Sequence, residues 1–193
     1  MGTARTWPHW SRSRRRDAYP PAGLRGLDEA GRLFREVRNI KNKYYYPANY
    51  YYGYIAFENR DFEAALESFN RIKDSKAYEK IIPYYISQIY YFKKQYKELI
   101  AYLSPLIADT DLKYYAELNQ ILGQTYFAQE KYENAIRHLT IYINESGKAR
   151  PEDLYQLGYA HYKSGDCKEA TTQFEQLVSS KDTIAQNALY LLG

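Results

Sequence analysis

Small residues recur along this chain at a spacing that few folds can use. Gly53, Ser87, Gly123, Gly158 and Gly193 lie 34, 36, 35 and 35 residues apart. Twelve residues after the first four stand Ala65, Leu99, Ala135 and Ala170, and four further on come Phe69, Leu103, Leu139 and Phe174. Three more residues lead to Ile72, Leu106, Tyr142 and Leu177. Anchors that return together at a fixed period mark stacked units, each too small to bury its own apolar face. Apolar positions three and four apart make every unit helical. The reading that follows is two antiparallel helices per unit. The small residue on the first helix and the alanine on the second allow close approach, and the large residue four positions on fills the gap to the next unit.

The segments YYGYIAFENRDFEAALESFNRI, ISQIYYFKKQYKELIAYLSPL, LGQTYFAQEKYENAIRHLTIY and LGYAHYKSGDCKEATTQFEQL resemble the tetratricopeptide repeat family. The resemblance covers residues 27–193. It implies an all-α, right-handed superhelical solenoid of antiparallel helix pairs. Full units fall at 46–79, 80–115, 116–150 and 151–185, with a half unit at 27–41 and the start of a fifth at 186–193. The second unit departs from the pattern, since Ser87 and Leu99 replace glycine and alanine; its helices are expected to sit slightly wider. Pro151 opens a first helix, where proline is well tolerated.

Both ends look cut. LDEAGRLFREV places Ala30 and Phe34 thirty-five residues before Ala65 and Phe69, a second helix without its first. The chain stops at LYLLG, inside the fifth unit's first helix. Solenoids need polar caps at their ends, so the expectation is a fragment of a longer array. Residues 1–26 are rich in Arg, Pro, Gly and Ala, whereas the body is rich in Lys, Asn, Tyr and Ile. The segment reads as a foreign leader and is set aside. Its functional alternative is an arm, Arg12, Arg14, Arg15 and Arg16, for nucleic acid or an acidic membrane.

Formal net charge is +4, but residues 1–40 hold nine arginines against four acids, so the repeat body is close to neutral. No nucleic-acid partner is expected for it, and apolar runs are too short for a membrane span. The single cysteine, Cys167, excludes an internal disulfide and is expected to be a packed thiol. His138 and His161 share no metal-ligand spacing and read as structural. Glu152 and Asp153 fall in a helix's first turn, where they meet the helix dipole. Lys93–Lys94 and Glu130–Lys131 fall at the bends within units. No phosphate loop, nucleophile elbow or paired-carboxylate motif is present. No catalytic residue, metal or cofactor is therefore expected, and the chain reads as a scaffold and not an enzyme.

Tyrosine is the unusual component, with 24 residues of 193. The family resemblance implies that first helices line a concave face and second helices the outside. The groove would then carry Tyr50, Tyr54 and Phe57; Tyr84, Gln88, Tyr91 and Phe92; Gln120, Gln124 and Phe127; and Tyr155, Tyr159, Tyr162 and Lys163. It lacks the Lys and Asn pattern with which chaperone-binding members clamp a C-terminal carboxylate, which argues against an acidic chaperone tail. Rings and amides suit an extended peptide or a partner protein, although any one of these tyrosines could equally be interhelical packing. The Tyr-, Lys- and Asn-rich style resembles large bacterial tetratricopeptide proteins of the cell envelope. That favours the periplasm or envelope over the cytoplasm, with an envelope-assembly or secretion component as partner. Two alternatives remain open: a glycan- or peptidoglycan-associated binding module, and a substrate-recruiting array of a larger enzyme.

Overall fold

The structure is a computed structural model that describes residues 25–147, 149–177 and 183–192. The arginine arm, His9 and the anchor Gly193 lie outside the described residues. Among the described residues ten helices follow in order: α1 Arg25–Val37, α2 Tyr45–Glu58, α3 Phe62–Asn70, α4 Ile82–Phe92, α5 Tyr96–Leu103, α6 Tyr115–Ala128, α7 Tyr132–Ser146, α8 Pro151–Lys163, α9 Cys167–Glu175 and α10 Thr183–Leu192. No strand occurs among the described residues.

Each full unit is a helix hairpin closed by one device. Arg60, Lys94, Glu130 and Gly165 adopt left-handed backbone at φ 63°, 56°, 57° and 83°. The next N–H then turns back five residues, from Asp61 to the Ala56 carbonyl at 2.8 Å, Gln95 to Tyr90 at 2.9 Å, Lys131 to Tyr126 at 3.0 Å and Asp166 to His161 at 2.9 Å. These bonds satisfy carbonyls that the first helix leaves open at its end. The same residue starts the second helix. Asp61 and Asp166 accept from the N–H of Ala64 and Glu169 at 3.1 and 3.3 Å, while Gln95 and Lys131 provide no side-chain cap.

The anchors meet within their own unit. A Cβ added to Gly53 or Gly158 would stand 2.7 Å from the ring of Phe69 or Phe174, and one on Gly123 would stand 2.7 Å from Leu139. The large residue therefore fills the space over its own glycine before it reaches the next unit, which amends the sequence reading. Phe69 does both, since its outer face stacks on Tyr85 of the following unit at 5.2 Å. Ala65, Leu99, Ala135 and Ala170 are all buried beside these contacts. In the second unit Ser87 is fully buried and its hydroxyl has no hydrogen-bond partner.

Successive first helices pack on one another at α4–α6, α6–α8 and α8–α10, whereas second helices make no comparable mutual approach. Closer spacing on one layer bends the array, so the first helices form its inner face. Helix α1 joins as expected for a second helix: Phe34 stacks on Tyr51 at 5.4 Å. Just beyond it, the Arg38 guanidinium lies over the Tyr52 ring at 4.3 Å and donates to Ser68 Oγ at 2.6 Å and Glu67 Oε2 at 2.9 Å.

Three minor residues resolve differently from one another. His138 is structural: its Nδ1 lies 2.9 Å from Asn119 Oδ1 and its ring stacks on Tyr126. Lys93 forms an ion pair with Glu63 of the preceding unit. Cys167 is exposed, contrary to the packed thiol expected. It occupies the place where Phe62, Tyr96 and Tyr132 begin the other second helices, and a thiol is too short to reach the rings those side chains cover.

Candidate functional site

The inner face is built from the ends of α2, α4, α6 and α8. The structure sorts the expected groove residues into two kinds. Tyr54, Phe57, Tyr84, Tyr91, Phe92, Phe127, Tyr155 and Tyr159 are part-buried, and Tyr162 and Lys163 are exposed. Tyr50, Gln88, Gln120 and Gln124 are instead buried. Tyr50 is core: it stacks on Tyr78 at 4.9 Å, and its hydroxyl lies 3.5 Å from that of Tyr85. A buried side chain offers a ligand no free surface, so these four are supports.

Two of the glutamines are held by a residue that sequence reasoning assigned to a helix's first turn, facing the helix dipole. Asp153 is fully buried. Its carboxylate accepts from Gln120 Nε2 at 2.7 Å, Gln124 Nε2 at 2.9 Å, Arg150 Nε at 2.7 Å and Arg150 Nη2 at 2.9 Å. A buried charge survives only when paired and hydrogen-bonded, and here four bonds do both. The network ties α6 to α8 under the groove floor. The signal was present in the sequence, as Arg150 and Asp153 sit three apart and Gln120 and Gln124 four apart, each on one helix face.

The aromatic side chains form two separate sets. In the first, Phe57 contacts Phe62, Phe92 and Tyr85, Phe92 contacts Tyr91, and Tyr54 packs on Tyr85. Tyr84 joins it through Tyr85 and the loop residue Tyr114, whose ring lies 4.3 Å away. In the second, Phe127, Tyr132 and Tyr159 meet one another, and Tyr159 adds Tyr155 and Tyr162. Lys163 Nζ lies 5.5 Å over the Tyr159 ring. The Gln120–Gln124–Asp153–Arg150 network joins α6 to α8, the helices that also carry Phe127 and Tyr159. Burial pushes the phenols of Tyr50, Tyr85 and Tyr91 up, Tyr91 to about 12, so they stay neutral at physiological pH. The arrangement can present ring faces and hydroxyls to a ligand. Among the described residues no group of histidine, cysteine and carboxylate side chains could hold a metal ion.

The geometry defines a solenoid of helix hairpins with an aromatic inner face. Tetratricopeptide repeat models match residues 27–80 and 154–180, so these segments are tetratricopeptide repeats. Repeats of this family generally mediate protein–protein interaction, and proteins built from them are typically non-catalytic scaffolds. In structure the chain is similar to PilW, described as a widely conserved type IV pilus biogenesis factor. The two share 18% identity and superpose with a TM-score of 0.64, covering 86% of this chain and 76% of that one. At that identity the likeness shows the fold. No curated protein matches the chain by sequence. Among the described residues no helix is long and apolar enough to cross a membrane.

Proposed function

We propose that this protein is an interaction scaffold that takes an extended stretch of a partner polypeptide along its first helices. The carrying observation is the strip of part-exposed rings, Tyr54, Phe57, Tyr84, Tyr91, Phe127, Tyr155, Tyr159 and Tyr162, along four consecutive units. An exposed aromatic face normally means contact, and rings provide area at small entropy cost. The glutamines contribute rigidity beneath the strip. The structural likeness to a pilus biogenesis factor and the tyrosine-rich style of the sequence support a partner in bacterial envelope assembly.

A peptide array probed with the purified chain tests this reading. Tyr54→Ala with Tyr159→Ala should abolish binding to the peptides selected, while Lys97→Ala with Glu133→Ala, exposed on the second helices, should not. Retention on insoluble cell wall, lost with the same tyrosine pair, would instead support a glycan-binding module and sink the peptide reading.

A further inference from the structure

Exposed apolar side chains cluster at one place outside the groove. Six large ones stand exposed among the described residues, and three of them, Ile40 at 54%, Tyr44 at 55% and Tyr46 at 47%, fall where α1 joins α2. Lys41, Asn42 and Lys43 between them are exposed too. Turn bonds hold this loop in shape. Ile40 N–H donates to the Val37 carbonyl at 3.0 Å, Asn42 N–H to the Ile40 carbonyl at 2.8 Å, and Tyr44 N–H to Asn42 Oδ1 at 2.8 Å. Lys43 Nζ lies 5.0 Å over the Tyr44 ring, so charge and ring share one spot.

The charge around these side chains is positive in excess. Residues 37–57 contain no Asp or Glu, but do contain Arg38, Lys41 and Lys43. The next inter-unit loop adds Arg71, whose Nη1 donates to Asn39 Oδ1 at 2.6 Å. Two acids stand nearby. Glu67 is shared between Arg38 at 2.9 Å and Arg71 at 2.6 Å, and Glu36 is exposed in the last turn of α1. Neither Lys41 nor Lys43 has a carboxylate partner among the described residues.

We infer that this edge docks on an anionic membrane surface, with Ile40, Tyr44 and Tyr46 entering the headgroup region and Lys41 and Lys43 meeting lipid phosphates. Apolar clusters rimmed by polar residues mark contact surfaces. Tyrosine suits the membrane–water interface, where its ring sits at headgroup level, and lysine is drawn to anionic lipid. Protein–protein contacts, by comparison, are depleted in lysine. The contact is peripheral, because a loop and a helix start supply it. The ring strip begins at Tyr54, about two turns further along α2 than Tyr46, so a docked array keeps its inner face open to a partner.

The test mixes the full chain with vesicles of phosphatidylcholine alone, or of equal parts phosphatidylcholine and phosphatidylglycerol, and reads the bound fraction by flotation. Binding should favour the anionic vesicles by about tenfold or more. Lys41→Ala with Lys43→Ala should weaken it about tenfold or more, at about fivefold for each lysine. Ile40→Ser with Tyr44→Ser should weaken it about tenfold. Residues 1–26 hold arginines of their own, so a second measurement reports on the loop itself. Tyr44→Cys in a Cys167→Ser background carries a nitrobenzoxadiazole dye, whose emission should shift to the blue on anionic vesicles. Absence of binding, equal binding to both vesicles, binding unchanged in the two loop variants, or an unshifted dye on vesicles that hold the protein would each overturn the inference. So would a dimer in sedimentation velocity that Ile40→Ser with Tyr44→Ser dissolves, since the patch would then belong to a second copy. Tyr54→Ala with Tyr159→Ala should leave vesicle binding unchanged, which separates failure of the membrane edge from failure of the groove.

Discussion

Adding one methyl group at two glycines should move stability in opposite directions. Gly123 sits where α6 meets α7. A Cβ there would stand 2.7 Å from Leu139 Cγ, 2.9 Å from its Cδ2 and 3.0 Å from its backbone nitrogen. Carbon atoms rest about 3.5–4.0 Å apart. The side chain could rotate away, but the backbone nitrogen cannot, so α6 and α7 must separate by several tenths of an ångström. Overpacking of this kind costs about 1–3 kcal/mol, offset by about 1 kcal/mol for replacing a helical glycine with alanine. Gly123→Ala should therefore lose up to about 2 kcal/mol, a fall in Tm of up to about 4–8 °C for a chain of this size. Gly31 lies in α1, where the same Cβ would meet Ile55 Cγ2 at 3.4 Å, an ordinary contact. Gly31→Ala should gain up to about 1 kcal/mol, read as slower hydrogen exchange in α1. Urea unfolding followed by circular dichroism measures the first change. If Gly123→Ala stabilised the protein as Gly31→Ala does, the glycine-over-leucine packing assigned to each unit would be wrong.

Other expectations follow from the same structure. Asp153→Ala strands the Arg150 charge and leaves the Gln120 and Gln124 amides without their acceptor; it should cost about 2–4 kcal/mol in chemical unfolding, and a loss below about 1 kcal/mol would show the network to be idle. Glu130→Gly relieves left-handed backbone at φ 57° and should raise stability by about 1 kcal/mol, checked by Tm. Burial and then Arg137 push the His138 imidazole down to about 4. The unfolded chain, with an ordinary histidine near 6.5, binds the proton first as pH falls. Stability is thus complete above about pH 6.5 and is lost between there and about pH 4. The full shift corresponds to about 3 kcal/mol, and the ring's partial exposure reduces this to about 1–2 kcal/mol. His138→Gln should remove that part of the acid sensitivity, as measured by urea unfolding at pH 7 and pH 5.

The period was legible because sterics impose it. A glycine facing Phe69, Leu139 or Phe174 tolerates little else, so the pairing shows as a spacing. The hairpin turns were less legible. Three of the four left-handed positions hold Arg60, Lys94 and Glu130, where glycine would have announced the turn, so only their 34- and 36-residue separation marked them. The groove was legible in outline and not in accessibility. The family resemblance implied that Gln120 and Gln124 lie on the inner side of α6, but their burial depends on Asp153, which arrives from the next unit. The same holds for Tyr50, covered by Tyr78 of the following loop. What a helix face meets is decided by a neighbour about thirty residues away, and one helix's pattern does not contain that neighbour.

The most direct test of the groove account is backbone amide NMR on the chain with its best-binding peptide. Shift changes should follow the inner ends of α2, α4, α6 and α8, around Tyr54, Tyr91, Phe127 and Tyr159, and leave the outward faces of α3, α5, α7 and α9 unmoved. Changes concentrated on those second helices, or on the loops between units, would contradict it.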